Sequence, residues 1–230
     1  MIANGKLYGV LNGSLTEQQK LNSAELHRLS DNLKQFSDDC QKNHMFKAFD
    51  MTDDYSIRII TERPEDTLTI AVMYRMYIRK QTPEDNAYMY DMKFSIGIGE
   101  ANANYSDIMM MSGCAFIFSK WEYDKMKFGE KIRIGTCFSD SDNHYLDLFA
   151  KCMSGIVSTM SKRQSSICYE MLAVDNIKTD NVIERVYAKN NRMTCYIKSI
   201  PIKLIRKTLQ HYADKILNLM SSIDINRELL

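Results

Sequence analysis

The chain has 230 residues, of which 45% are hydrophobic and 26% charged, and its 3 prolines and 9 glycines are too few for long flexible linkers. No run of about 18 apolar residues and no secretory signal pattern is present, so we expect a cytoplasmic protein without membrane contact. The net charge is +1, but residues 151–230 hold 13 basic and 7 acidic residues against 17 and 22 in residues 1–150, which suggests two parts with different partners.

The first 138 residues alternate between strand and helix patterns. A short apolar run ends at the turn Asn12-Gly13, and Thr16 can cap a helix whose apolar residues recur every three or four positions. Pro64 opens a second helix, because proline fits the first helical turn. The predicted elements are a strand over 6–11, a helix over 17–41, strands over 45–50 and 55–60, a helix over 64–80, a strand over 92–98, a helix over 111–127 and a strand over 131–138.

The order of these elements predicts the fold class. The first six follow the βαββαβ pattern of ferredoxin-like domains, in which helices cover one face of an antiparallel sheet. After residue 140 the pattern becomes mostly helical, over 143–161, 163–173, 179–189 and 202–221, with a short extended piece at 192–200. The sequence therefore predicts an α+β domain over residues 1–140 and an all-helical domain over residues 141–230.

The segment KFSIGIGEAN contains two glycines, Gly97 and Gly99, at the end of a strand. A dinucleotide-binding loop needs a third glycine three positions later and a helix directly after it, but Asn102 stands there and the predicted helix begins about nine residues on. Two interpretations remain, close packing against the strand or direct contact with a phosphate-bearing ligand. We therefore keep Gly97 and Gly99 as candidate ligand contacts, together with Asn12 and Gly13 at the end of the first strand.

Acidic residues in the predicted hairpin form the best candidate metal site. Asp53 and Asp54 are adjacent at the hairpin tip, and Glu100 follows the glycine pair. Carboxylates on neighbouring strands can hold Mg²⁺ for phosphoryl chemistry, so these three residues are candidate ligands. The alternative is a solvated turn, where aspartate is favoured in any case.

The cysteines and histidines give no comparable pattern. The chain has six cysteines and four histidines, without a CxxC pair or clustered ligands at zinc-site spacing. We expect free thiols in a reducing cytosol.

The C-terminal part carries basic residues on predicted helices. Proline at 201 opens a helix with apolar residues on one side and basic residues on the other. A basic helix presented by a small helical bundle is how helix-turn-helix modules contact DNA, although a solvated basic face gives the same pattern. The candidate contacts to double-stranded DNA are Lys162, Arg163, Lys203, Arg206 and Lys207.

Several motifs together resemble the SatD family of small bacterial proteins. The family has a strand of the type SIGIGE followed by a loop and a helix that begins G-x-A-F-x-x-S, and FSIGIGEA with MSGCAFIFSKWEYDKM is similar to it. The hairpin DDY resembles the family's GDEF turn, and MSKRQSSI lies where the family begins its helix-turn-helix. The matching residues of the strand and helix are Gly97, Gly99, Glu100, Gly113, Ala115, Phe116 and Ser119.

The resemblance implies a palm domain like that of nucleotidyl cyclases and GGDEF proteins, followed by a helix-turn-helix domain that binds DNA. The cyclase palm needs a carboxylate on its first strand, and this chain has Asn12 and Gly13 at that place. We therefore expect a non-catalytic regulator whose palm-like domain senses a nucleotide or a protein partner. A Mg²⁺-dependent enzyme that uses Asp53 and Asp54, and a homodimeric interaction module, remain the alternatives.

Overall fold

A computed structural model gives the fold, and the structure describes residues 6–52, 55–84, 86–105, 107–175 and 201–228. In these ranges the protein is an α+β protein with one five-stranded mixed sheet and six α-helices. The strands are β1 (Leu7–Leu15), β2 (Ala48–Met51), β3 (Ser56–Thr61), β4 (Met92–Glu100) and β5 (Ile132–Thr136). The helices are α1 (Ser23–Lys42), α2 (Thr67–Lys80), α3 (Cys114–Asp124), α4 (Asp140–Ser158), α5 (Lys162–Asp175) and α6 (Ile202–Glu228).

The sheet has the order β2-β3-β1-β4-β5, with β1 at its centre. The first four strands in this order are antiparallel to their neighbours, whereas β5 runs parallel to β4, so the sheet is mixed. Asn12 of β1 lies between Arg58 of β3 and Ser95 of β4. These three side chains therefore share one face of the sheet, because residues in direct register point the same way.

Helices cover both faces of the sheet, which corrects the prediction that they lie on one face. Phe94, Ile96 and Ile98 of β4 belong to the larger core, which also contains α1, α2, α4, α5 and α6. The opposite face carries Gly97 and Gly99, and α3 packs directly on it. Because glycine has no side chain, the backbone of α3 can approach the strand closely there, which lets a helix occupy the second face.

The helices that follow residue 140 share the large core with the sheet. Met153 of α4, Cys168 of α5 and Tyr212 of α6 are all buried and belong to the same hydrophobic cluster as the strands. The predicted domain boundary near residue 140 falls at the first residue of α4. The predicted helix over 179–189 and the extended piece over 192–200 lie outside the described residues.

The first helix begins later than predicted. Thr16 was the predicted cap, but a short 3-10 turn at Gln18–Lys20 comes first, and α1 begins at Ser23. Asn22 and Glu25 form a reciprocal capping box there, with both hydrogen bonds at 2.9 Å, and this satisfies two backbone donors at the helix start. Within the described part of the chain, no helix combines the length and apolarity that crossing a membrane requires.

Candidate functional site

A groove of about 630 Å³ opens on the face of the sheet that carries α3. Its floor is formed by β1, β2 and β3, and α3 forms one wall. The segment that precedes α3 adds Met109 and Met111, and α3 adds Phe116 and Ile117, so the wall is mostly apolar. Concave sites of this kind, with few polar groups among apolar side chains, are where small ligands bind.

Asn12 is the polar centre of the groove floor. Arg58 Nε donates a hydrogen bond of 3.0 Å to Asn12 Oδ1, and Asn12 Nδ2 donates one of 2.8 Å to Ser119 Oγ on α3. Ser119 Oγ in turn donates to the backbone carbonyl of Ser95 at 3.2 Å. The two bonds to Asn12 also assign its amide orientation, because its oxygen faces a donor and its nitrogen an acceptor.

Tyr123 closes the groove near the end of β1. Its hydroxyl lies 2.7 Å from Ser14 Oγ, which joins the end of α3 to the central strand. Lys93 Nζ lies 4.4 Å from the centroid of the Tyr123 ring, within the range of a cation–π contact. These contacts hold the C-terminal end of α3 against β1 and β4, and they therefore set the width of the groove.

Two cations line the groove, Arg58 on its floor and Lys120 on its wall. Across the described ranges neither forms an ion pair; besides Asn12, Arg58 only approaches the sulfur of Met109, at 3.9 Å. Two acids, Asp50 and Asp124, also line the groove. The groove thus combines guanidinium and ammonium donors with apolar surface, and such donors bind phosphate and carboxylate groups.

Of the three predicted metal ligands, only Glu100 lies within the described residues. Asp53 and Asp54 lie outside them, and the flanking residues Thr52 and Tyr55 are at the hairpin end of β2 and β3. Glu100 pairs with Leu7 at the opposite end of β1, seven residues from Ser14, which corresponds to about 23 Å along a strand. No group of three or more His, Cys, Asp or Glu in the described ranges is arranged to hold a metal ion.

The glycine candidates serve the packing of side chains and of α3. A Cβ added at Gly97 would lie 2.0 Å from the carbonyl oxygen of Ala115, and one at Gly99 would lie 2.6 Å from Cys114 Sγ. A Cβ at Gly13 would overlap the ring of Phe94. The space over Gly97 and Gly99 is therefore filled by α3, and of the four candidates only Asn12 and Gly13 line the groove.

The predicted DNA contacts lie on α5 and α6, away from the groove. Lys162 Nζ forms an ion pair of 3.0 Å with Glu84, and Arg206 donates to the carbonyl of Met171 at 3.3 Å. Arg163, Lys203 and Lys207 are exposed. The buried side of α6 includes Ile202, Ile205, Leu209 and Tyr212.

The prediction from sequence missed Arg58, Lys120 and Tyr123 as site residues. Arg58 did give a signal, since it is a charged residue inside the apolar strand SIRIIT, where a lone charge needs a partner or a function. Lys120 and Tyr123 gave none, because exposed and half-exposed polar residues are ordinary on a helix. Only the packing of α3 over β1 shows that they lie beside Asn12.

Comparison with known proteins adds no family assignment. No protein-family model matches the chain, and no curated protein matches it significantly.

Proposed function

We propose that the protein is a non-catalytic regulator that binds a nucleotide, or a closely related phosphorylated molecule, in the groove between the sheet and α3. The observation that carries this proposal is the placement of Asn12. Its neutral amide occupies the centre of the floor, held by Arg58 and Ser119, where a Mg²⁺ site would need a carboxylate. An amide and a guanidinium favour the binding of an anion over the binding of a cation.

The groove offers both kinds of contact that a nucleotide needs. Arg58 and Lys120 supply charge for phosphate groups, while Phe116 and the methionines of the wall supply apolar surface for a base. The volume of about 630 Å³ falls within the range of small-ligand sites.

A palm-like, ferredoxin-like core forms part of this proposal. The strand order β2-β3-β1-β4, antiparallel throughout, is the order expected for a βαββαβ unit, and it supports the SatD-like interpretation. In this view β5 and α3 are additions to that unit, and α3 builds one wall of the groove. A reducing, cytoplasmic setting belongs to the same proposal and fits Cys40, Cys114, Cys152 and Cys168, which form no disulfide among the described residues.

Calorimetric titration of the intact protein with ATP, GTP and cyclic AMP tests the proposal. We expect binding of at least one nucleotide without its turnover, and a loss of about tenfold to hundredfold in affinity for Arg58→Gln and for Lys120→Gln. Lys127→Gln is the matched control, because Lys127 is exposed and lies just beyond α3, outside the groove. Absence of binding at millimolar nucleotide, or equal affinities for all four proteins, contradicts the proposal.

A turnover assay with the same nucleotides distinguishes the enzymatic alternative. A Mg²⁺-dependent enzyme that uses Asp53 and Asp54 would convert labelled nucleotide in the presence of Mg²⁺ or Mn²⁺. Turnover that disappears in the double variant Asp53→Ala and Asp54→Ala would replace our proposal with this one.

DNA binding by α6 is a second candidate function. Lys203 and Lys207 are exposed in the first turns of α6 and form no ion pair with any described residue. Fluorescence anisotropy with duplex DNA at about 50 mM salt tests it, since phosphate contacts are strongest at low salt. We expect Lys203→Gln and Lys207→Gln together to weaken binding and to reduce the slope against salt by about two. Lys42→Gln is the control, because Lys42 is a highly exposed lysine on α1. Equal DNA affinity of the Lys203/Lys207 double variant and the Lys42→Gln control would exclude α6 as the DNA contact.

A further inference from the structure

The open edge of β5 lines a second groove, of about 540 Å³, between α3 and α4. Among the described residues β5 is the last strand of the sheet, so one of its backbone edges has no neighbouring strand there. This groove shares no lining residue with the groove around Asn12, and inferences about it do not depend on the proposed function.

The hydrogen bonds to β4 show which backbone groups of β5 face outward. Phe94 N donates to Lys131 O at 2.8 Å, and Cys137 N donates to Ile98 O at 3.0 Å. The odd-numbered residues of β5 therefore bond to β4. In a parallel pair the even-numbered residues then direct their N–H and C=O groups to the open edge.

A side chain already takes the place of a neighbouring strand at one of these residues. Thr136 N donates to Asn143 Oδ1 at 2.8 Å, and Asn143 Nδ2 donates to Thr136 O at 3.3 Å. Ile134, two residues earlier on the same edge, has no such partner for its N–H or its C=O among the described residues. Among the described residues the edge is thus paired at Thr136 and unpaired at Ile134, which lines the groove with 4% of its surface exposed.

Asp147 provides an independent observation in the same groove. It follows Asn143 by one turn of α4, its residue exposure is 9%, and its Oδ1 is buried without a hydrogen-bond partner among the described residues. Its other oxygen, Oδ2, forms an ion pair with Lys151 Nζ at 2.8 Å. Buried carboxylate oxygens are rarely left without a donor, so the groove lacks one.

The remaining buried charge in the groove is already balanced. Glu122 Oε1 pairs with Lys125 and Glu122 Oε2 with Arg133, both at 2.8 Å. Among the described residues that line the groove, the groups without a partner are therefore one oxygen of Asp147 and the backbone N–H and C=O of Ile134. This combination matches a cation carried by an extended backbone.

We propose that the edge of β5 binds an extended, basic segment of a partner protein by strand addition. The segment pairs its backbone with Ile134, and a lysine or arginine side chain donates to Asp147 Oδ1. Backbone pairing supplies affinity in this mode of recognition, and the charge-assisted bond supplies selectivity for a basic residue.

Trp121 makes the binding observable, because it is the only tryptophan of the chain and lines this groove. The probe is a blocked seven-residue peptide of alternating threonine and valine with a central lysine, titrated against the intact protein while Trp121 fluorescence is recorded. We expect saturable binding, at least about tenfold weaker for the same peptide with central glutamate. We expect a similar loss when the backbone nitrogens that face β5 are methylated, and protection of the Ile134 amide from hydrogen exchange upon binding.

Asp147→Asn separates recognition from folding, since it keeps the size of the side chain and removes its charge. We expect it to reduce the preference for lysine over glutamate by about tenfold, whereas Asp31→Asn, an exposed aspartate on α1, leaves that preference unchanged. Equal binding of the lysine, glutamate and methylated peptides would overturn the proposal, as would an unprotected Ile134 amide. A dimer in light scattering that Asp147→Asn converts to monomer would also overturn it, because a second copy would then be the occupant.

Discussion

Replacement of Asp91 by asparagine tests what joins α2 to α4 in the large core. Asp91 Oδ1 accepts a bond of 2.9 Å from Arg75 Nε, and Oδ2 accepts bonds of 2.7 Å from Arg75 Nη2 and 3.0 Å from Arg79 Nη1. Both guanidinium groups also donate to backbone carbonyls at the end of α4, including those of Ser154 and Ser158. The network therefore caps the C-terminus of α4 with two cations and balances one of them with Asp91.

The cost of Asp91→Asn follows from burial. Arg75 and Asp91 have side-chain exposures of 0% and 5%, so the substitution leaves two buried cations without a carboxylate. Breaking a buried ion pair in this way costs about 3–5 kcal/mol in the free energy of unfolding. For a protein of this length each kcal/mol lowers Tm by about 2–4 °C, so we expect a fall of roughly 6–20 °C.

The pKa of Asp91 gives the pH dependence of this effect. Burial alone would raise the pKa of Asp91, but the guanidinium groups of Arg75 and Arg79 outweigh it and hold the pKa below its usual value. The carboxylate therefore stabilises the fold at pH values above about 4, and this contribution is lost as the pH falls through the lowered pKa. The difference in stability between the wild type and Asp91→Asn should shrink below about pH 4.

Chemical denaturation, followed by circular dichroism at pH 7 and at low pH, measures the free energy of unfolding and its dependence on pH. Asp39→Asn is the matched control, because Asp39 pairs with Lys42 at 3.7 Å on the exposed side of α1, and such pairs contribute less than about 1 kcal/mol. A loss below about 1 kcal/mol for Asp91→Asn at pH 7, or a loss that does not change at low pH, would refute this account of the network.

Three further predictions concern packing and thiol reactivity. Gly97→Ala should lower Tm and alter the near-ultraviolet circular dichroism of Trp121, because a Cβ at this position meets the backbone of α3. Gly155→Ala on α4, where the space around the added Cβ is open, should stabilise the protein by up to about 1 kcal/mol. An unchanged Tm for Gly97→Ala would contradict the close packing of α3 on β4. Tyr212→Phe should lower the free energy of unfolding by about 1–2 kcal/mol, because the buried Tyr212 hydroxyl lies 2.7 Å from the Thr67 hydroxyl. An unchanged denaturation midpoint would show that this hydrogen bond does not stabilise the fold. Burial raises the pKa of Cys40 to about 12, so at pH 8 a thiol reagent should modify exposed Cys152 rapidly and Cys40 only on unfolding. Early modification at Cys40, mapped by mass spectrometry, would contradict the buried position of this thiol.

Local sequence patterns were sufficient to predict the order of strands and helices over the first 138 residues. The alternation of Phe94, Ile96 and Ile98 with small or polar residues predicts β4 because side chains of a strand point to opposite faces in turn. The start of α1 was placed incorrectly, since Thr16 and Asn22 are both good cap residues and only the reciprocal bond with Glu25 selects Asn22.

The sequence by itself determined the order of strands and helices in the described ranges, because hydrophobic periodicity is a local property of neighbouring residues. The candidate site was decided by tertiary structure. Asn12, Arg58 and Ser119 are separated by 46 and 61 positions along the chain, and nothing local indicates that strand register and the packing of α3 bring them into hydrogen-bond contact. Gly97 shows both levels, since sequence indicated a close approach to the strand and only the fold identified α3 as the element that makes it.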